Sequence, residues 1–215
     1  MIVKSLELDF FRNYVHLEAV FDPRVNLIYG DNAQGKTNLL EAVAYLSTAR
    51  SHRARYDREM IMLGVDGAFV KGEVRSRARD FTLEARLNRG ARRQLWSNGV
   101  RLKTAGELSG ILNTVLFCPE DLYLIREGGA ARRRFLDSAI SQLRPQYIKV
   151  LGDYNRALAQ RSTLLREAFR DRSRLELLPV FDYHVARLGS LIQVTRQSYL
   201  TRLAEYAAGF HQGIS

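Results

Sequence analysis

The stretch Gly30-Asp31-Asn32-Ala33-Gln34-Gly35-Lys36-Thr37 decides how the rest of this sequence is interpreted. It matches the pattern G-x-x-x-x-G-K-[ST] in full, the signature of a phosphate-binding loop between a strand and a helix. Glycines at its two ends allow backbone angles that a Cβ atom would forbid, so that consecutive N–H groups can face one anion. The flanks agree, since the apolar residues 25–29 predict a buried strand before the loop and an amphipathic helix is predicted after it.

These residue types support the binding of a nucleoside triphosphate. Lys36 is predicted to reach the β- and γ-phosphates and to be the catalytic residue, and the Thr37 hydroxyl is predicted to ligate Mg²⁺. The N-terminus of the following helix adds about half a positive charge at the same point. The predicted cofactors are ATP and Mg²⁺. The residues predicted to hold them are Gly30, Asp31, Asn32, Ala33, Gln34, Gly35, Lys36, Thr37 and Asn38.

The composition excludes several classes of protein. With 46% hydrophobic and 10% aromatic residues among 215, the chain is globular rather than disordered. The single cysteine, Cys118, excludes an internal disulfide framework and favours a reducing compartment. No apolar run approaches the ~20 residues that span a bilayer, so we expect a cytoplasmic chain without membrane contact.

The net charge of +10 is unevenly distributed. Residues 1–50 have a net charge of −1, residues 51–103 of +7 and residues 104–215 of +4. Within the basic segment, apolar–polar alternation and the turn sequence Asn98-Gly99 predict antiparallel strands with basic residues facing solvent. Such a positive face would meet DNA phosphates without reading bases, and the alternative is a solvated strand surface. The candidate DNA-binding residues are Arg53, Arg75, Arg77, Arg89, Arg92 and Arg93.

The periodicity along the chain predicts an α/β fold. Two alternating strands precede the strand that enters the loop, and the antiparallel basic segment follows the loop helix. This order favours a P-loop NTPase of ABC ATPase type, a mixed sheet with an antiparallel β subdomain, over a simple GTPase, whose D-x-x-G and N-K-x-D motifs are missing. From about residue 131 the apolar period becomes helical, with breaks at Pro145 and Pro179. We therefore expect an ATPase lobe over residues 1–130 and an α-helical lobe over residues 131–215.

Further strings, in their order along the chain, resemble the RecF family of bacterial DNA replication and repair ATPases. They are Phe11-Arg12-Asn13-Tyr14, Asn38-Leu39-Leu40-Glu41-Ala42 after the loop, Ser51-His52-Arg53, Phe117-Cys118-Pro119-Glu120-Asp121-Leu122 and Arg132-Arg133-Arg134-Phe135-Leu136-Asp137. The resemblance implies an SMC-like ATPase head that forms an ATP-dependent homodimer, binds double-stranded and gapped or junction DNA, and helps to load a recombinase. A RecR-like recombination mediator is the implied protein partner.

The resemblance also implies that Arg12 and Asn13 meet the nucleotide beside its phosphates, and the alternative for both is an ordinary polar turn. Ala33 stands where the family commonly has glycine, which alanine tolerates if its φ stays negative. Neither a Leu-Ser-Gly-Gly-Gln signature nor a clear acidic strand for Mg²⁺ is present, so we expect the helical lobe to be incomplete and ATP to be bound without efficient hydrolysis.

Residues 115–121 leave three alternatives open. An apolar run that ends in Glu120 and Asp121 could be the acidic strand, with Glu120 as a second metal ligand, although Pro119 interrupts it. By family position the same run resembles a loop that couples the nucleotide to the helical lobe, and a helix N-cap is the plainest interpretation. For the whole chain, the competing classes are a small-molecule P-loop kinase or transferase and another SMC-family head.

Overall fold

The computed structural model describes residues 1–77, 79–126 and 128–214, without the side chains of Glu120, Leu122, Tyr123 and Ile125. The chain divides into two compact units, Met1–Tyr123 and Leu124–Ser215. The predicted division at residue 130 falls within the second of these units. Among the described residues, no helix combines the length and the apolar character that crossing a lipid bilayer requires.

The first unit is built on a six-stranded antiparallel sheet with the order β2-β1-β3-β4-β5-β6. Apolar–polar alternation predicts its strands well, because each strand buries only one face. Asn98 and Gly99 connect the last two strands with φ values of +50° and +74°, as a tight hairpin turn requires. The strands are β1 (Ile2–Phe11), β2 (Tyr14–Val20), β3 (Gly67–Ser76), β4 (Arg79–Asn88), β5 (Gln94–Ser97) and β6 (Val100–Arg101).

The buried face of the sheet packs against helix α1 (Lys36–Thr48), which follows the glycine-rich loop. Leu39, Ala42, Tyr45 and Leu46 are the apolar side chains that this helix buries, whereas Leu40 is exposed. The helix approaches β3 closely at Gly72, where a Cβ atom would lie 2.6 Å from Leu46 Cδ1. This contact fixes the helix, and therefore the start of the helix, relative to the sheet.

The predicted buried strand over residues 25–29 is wrong for the described structure. The segment forms no strand, and Val25, Leu27 and Tyr29 are each more than 80% exposed. Residues 115–117 behave in the same way, with Val115 and Phe117 exposed. Apolar character marks a strand that can be buried, but burial also needs neighbouring strands, and the described residues provide none for these two segments.

The second unit is helical, as its period predicts. It contains α2 (Tyr123–Arg126), α3 (Gly129–Leu143), α4 (Pro145–Glu167) and α5 (Leu178–Gln212). Both predicted breaks are confirmed as helix starts, since Pro145 is the first residue of α4 and Pro179 lies in the first turn of α5. With 35 residues, α5 is about 52 Å long.

An ion pair joins three helices of this unit. Asp137 of α3 accepts hydrogen bonds of 2.9 and 2.8 Å from Arg196 of α5 and one of 2.5 Å from the Tyr147 hydroxyl of α4. Burial and the bond to this carboxylate raise the pKa of Tyr147 to about 12.

Candidate phosphate-binding site

The loop over residues 30–37 has the backbone geometry that its glycines predict. Gly30 and Gly35 adopt φ values of +139° and +102°, which disfavour any residue with a Cβ atom. Gly35 is the N-cap of α1, and no side chain caps the helix there. The first N–H groups of an α-helix have no partner within the helix, so this end of α1 presents free donors to an anion.

Lys36 lies across the loop. Its Nζ atom donates hydrogen bonds of 2.7 Å to the Gly30 carbonyl and 2.5 Å to the Asp31 carbonyl. The exposed Thr37 follows in the first turn of α1, and its hydroxyl makes no hydrogen bond within the described residues. An ammonium group and a free hydroxyl therefore lie beside the unsatisfied helix N-terminus, a donor set that suits a phosphate chain and a Mg²⁺ ion.

Ala33 differs from the expectation of a negative φ. Its φ is +67°, in the left-handed region. An L-residue with a Cβ atom pays about 1–2 kcal/mol for this conformation. The loop therefore keeps the backbone path that a glycine would follow, at the expense of local strain.

Replacing Ala33 by glycine is expected to raise the free energy of unfolding by about 0.5–1 kcal/mol. The relief of strain exceeds the extra chain entropy that glycine loses on folding, ~0.5–1 kcal/mol. Urea denaturation measures the change. The matched control, Ala44→Gly inside α1, is expected to lower stability by about 1 kcal/mol. Equal signs for the two substitutions would contradict the strained geometry.

The turn between β1 and β2 is packed against the loop. A Cβ atom on Gly35 would lie 2.7 Å from Asn13 Oδ1 and 2.9 Å from Tyr14 Cζ, so a larger residue would displace these side chains as well as strain the backbone. Asn38 Nδ2 donates a 2.8 Å hydrogen bond to Asn13 Oδ1, and Asn38 Oδ1 accepts one of 3.2 Å from Arg53 Nη1. The amide of Asn38 thus connects the predicted nucleotide residue Asn13 with the predicted DNA residue Arg53.

Arg12 has a structural partner. Its guanidinium donates hydrogen bonds of 2.9 and 2.7 Å to the two carboxylate oxygens of Glu41 and one of 2.7 Å to the Glu59 carbonyl. Glu41 is fully buried and also accepts a hydrogen bond from the Ser51 hydroxyl. Burial alone would raise the pKa of Glu41, but the hydrogen bonds from Arg12 and Ser51 hold this pKa below its ordinary value.

The sequence pattern does not reveal the structural role of Glu41 and Ser51, which occur in it only within strings that resemble a family. In the structure, Glu41 connects the turn between β1 and β2 with α1 and with Ser51. Ser51 Oγ also accepts hydrogen bonds from the backbone N–H groups of Arg53 and Ala54. A carboxylate in the apolar run of α1 was the available signal, because a buried charge requires a partner. The contact of Arg12 with a nucleotide remains a prediction.

The structure favours the plainest interpretation of residues 115–121. Residues 119–122 form a short 3₁₀ helix, and the Asp121 carboxylate accepts a 2.8 Å hydrogen bond from the Cys118 N–H. Asp121, the third residue of this turn, therefore bonds back to the residue before it, as the acidic residue of a capping box does, instead of ending a strand. The side chain of Glu120 lies outside the described residues, so its place near a metal stays a prediction.

Four of the six candidate DNA-binding arginines are held by partners within the unit, since Arg53 donates to Asn38 Oδ1 as described above. Arg75 pairs with Asp80 at 2.9 Å, and Arg93 pairs with Asp57 at 2.7 Å. The guanidinium of Arg89 donates to three backbone carbonyls, those of Val65, Ile61 and Met62. By contrast, Arg77 and Arg92 are exposed and make no side-chain hydrogen bond or ion pair among the described residues.

The open face of the sheet is mixed in charge, and the expectation of one positive face is wrong. Strand register sets acids beside bases, as in the row Glu7–Lys71–Glu84. Six carboxylates share this face with five basic residues, Lys4, Lys71, Arg75, Arg86 and Arg101. These carboxylates belong to Glu7, Asp9, Glu18, Glu73, Asp80 and Glu84. The free basic groups Arg77 and Arg92 lie instead in the connections at either end of β4.

The chain resembles known proteins in sequence and in fold. The chain matches the AAA domain family over residues 5–178. The DNA replication and repair protein RecF of Lachnospira eligens is 40% identical over 217 residues, which cover 100% of this chain and 60% of that protein. A solved structure of the "recombination mediator protein RecF-ATP in RecFOR pathway" superposes with a TM-score of 0.96 at 36% identity, covering 100% of this chain and 58% of the other.

Proteins of lower sequence identity share the fold. A solved SMC ATPase structure superposes with a TM-score of 0.53 at 21% identity, covering 64% of this chain and 99% of the other, a likeness of fold alone. The expected P-loop fold of ABC ATPase type is confirmed, as is the resemblance to RecF. The chain spans about 60% of the length of the curated relatives that it matches.

Proposed function

This chain belongs to the AAA domain family and resembles RecF along its whole length, and from this premise we propose that it is the ATP-binding part of a DNA replication and repair ATPase. The observation that carries the proposal is the loop geometry. Lys36 lies over the loop carbonyls next to an uncapped helix N-terminus, where the phosphates of ATP find both a cation and backbone donors.

Each residue has a separate task in this proposal. The N–H groups of residues 31–37 bind phosphate oxygens, Lys36 neutralises the β- and γ-phosphates, and the Thr37 hydroxyl ligates Mg²⁺. When bound, Mg²⁺ supplies further neutralisation of the phosphate oxygens. Asn13 lies against Gly35 and so approaches the loop from the side of the hairpin. Arg12 acts on the nucleotide only if it leaves its pairing with Glu41.

The action on DNA is a wider proposal. We place the protein in recombinational repair, with ATP-dependent homodimerisation on double-stranded and gapped DNA, a RecR-like mediator as partner and delivery of a recombinase to single-stranded gaps. The resemblance to a protein described as a recombination mediator supports this assignment. The excess positive charge of residues 51–103 supports contact with the DNA backbone.

Steady-state assays separate this function from its competitor, a small-molecule P-loop kinase. The chain is expected to bind ATP, to show no multiple-turnover hydrolysis, and to transfer no phosphoryl group to nucleoside acceptors. Multiple turnover that Lys36→Ala abolishes would contradict the part of the proposal that concerns hydrolysis. Phosphoryl transfer to a nucleoside would identify a kinase.

Binding to duplex DNA is expected to weaken steeply as salt rises, with little dependence on sequence, because phosphate contacts release counterions. The double substitution Arg77→Gln/Arg92→Gln is expected to lower the slope of log K against log[salt] by about two, roughly one for each lost contact. Fluorescence anisotropy at several salt concentrations measures the slope. The control is Arg174→Gln, since Glu167 already holds this arginine. A DNA affinity independent of salt would contradict the proposal.

A further inference from the structure

The helical unit carries a groove of about 450 Å³ between the end of α3 and the second half of α5. Its apolar lining consists of Ile140 and Leu143 from α3 and of Tyr199, Leu203 and Tyr206 from α5. Ile140 is buried at the bottom, whereas Leu143 and Tyr206 are more than 60% exposed. The groove is therefore an open apolar surface with a packed floor.

The apolar surface continues along α5. Leu203, Tyr206 and Phe210 recur at spacings of three and four residues, which places them on one face of the helix. Tyr206 and Phe210 are 64% and 75% exposed, whereas Leu203 is half-buried. From Tyr199 to Phe210 the helix rises about 16 Å, or three turns. Contiguous apolar surface of this kind marks interaction sites in soluble proteins.

Two arginines line the same groove. Arg144 and Arg202 are both exposed, and neither has a carboxylate partner among the described residues. Other arginines of the unit are paired, such as Arg196 with Asp137 and Arg161 with Asp182. The positive charge at the groove is therefore uncompensated, and a carboxylate is the group that binds an arginine fork with two parallel hydrogen bonds.

We propose that this groove docks an amphipathic helix of another protein, with apolar anchors on the floor and acidic residues against Arg144 and Arg202. An apolar stripe of three turns matches the anchors at positions i, i+3 and i+7 by which such a helix lies in a groove. The two arginines favour acidic flanks over basic ones, so that charge complementarity selects an acidic helix.

The probe is a fluorescein-labelled helical peptide with leucines at i, i+3 and i+7 and glutamates on both flanks, titrated with the full chain. Arg144→Glu/Arg202→Glu is expected to weaken binding at least about tenfold, the equivalent of one strong charged contact. A basic protein attracts acidic peptides everywhere, so the matched control is Arg170→Glu/Arg187→Glu. This control makes the same change in charge at exposed positions of the unit outside the groove.

Three results decide the proposal. A peptide with lysine flanks is expected to regain affinity for Arg144→Glu/Arg202→Glu, which shows that this variant is folded and that contact is direct. Equal weakening by both double substitutions would overturn the proposal in favour of unspecific attraction. A concentration-dependent dimer that Tyr206→Glu dissociates would also overturn it, since a second copy would then occupy the groove. Circular dichroism checks the helix content of every variant.

Discussion

Replacing Lys36 by alanine is expected to weaken ATP binding by about 2–3 kcal/mol, or roughly 30- to 150-fold, the usual worth of hydrogen bonds to charged groups. The loss has a direct cause, because no other side chain brings an ammonium group over the loop carbonyls of Gly30 and Asp31 in the described structure. Titration with a fluorescent ATP analogue measures the affinity. The free energy of unfolding is expected to change much less, since these contacts are exposed.

Lys71→Ala is the matched control. Lys71 is also a lysine of the first unit, but it pairs with Glu7 at 3.0 Å on the open face of the sheet. Its removal changes the net charge equally and leaves the loop intact, so ATP affinity is expected to stay within about twofold. If Lys36→Ala and Lys71→Ala have equal effects, the loop does not hold the phosphates.

Replacing Glu41 by alanine is expected to destabilise the first unit by about 3–5 kcal/mol, the usual cost of breaking a buried pair by removing one partner. The substitution leaves the largely buried Arg12 without a counter-ion and the Ser51 hydroxyl without its acceptor. Urea denaturation provides the measurement, with Glu7→Ala as the control, because the Glu7–Lys71 pair is partly exposed. Equal losses for the two variants would contradict a buried role for Glu41.

The same carboxylate predicts a dependence on pH. The folded state lowers the pKa of Glu41 below its ordinary value of 4.5, so its stabilisation is complete above pH 4.5 and is lost as pH falls through the lowered pKa. In Glu41→Gln this contribution is absent at every pH. The difference in stability between the natural chain and Glu41→Gln is therefore expected to shrink below pH 4.5. A constant difference down to pH 3 would contradict the lowered pKa of Glu41.

The sequence predicts best what a single residue dictates locally. Gly30 and Gly35 predict the loop because their backbone angles disfavour other residues. The roles of Lys36 and Thr37 are predicted because phosphates need a cation and Mg²⁺ needs a hydroxyl ligand. Alternation predicts β1 to β5 because one buried face imposes a period of two. Pro145 and Pro179 mark helix starts because proline fits the first turn of a helix.

The sequence predicts least where a distant partner decides the outcome. Arg77 and Arg89 each contribute one positive charge to the sequence. Arg89 binds backbone carbonyls more than twenty residues away, whereas Arg77 makes no side-chain hydrogen bond or ion pair in the described structure. Residues 25–29 are apolar enough for a buried strand, but their exposure depends on which strands lie beside them. Ala33 shows a further limit, since neighbouring residues impose a conformation that alanine would not choose.

The contacts that Arg12 and Arg89 make with several oxygens at once limit which substitutions these two positions can accept. Each uses its Nε atom together with terminal nitrogens to bind several oxygens at once, and lysine offers only one nitrogen. Exchange of arginine for lysine is thus closed at these two positions, whereas Arg77 and Arg92 can drift between the two cations. Arg12 and Arg89 therefore require the geometry of a guanidinium group, whereas Arg77 and Arg92, among the 33 basic residues of the chain, require only a positive charge.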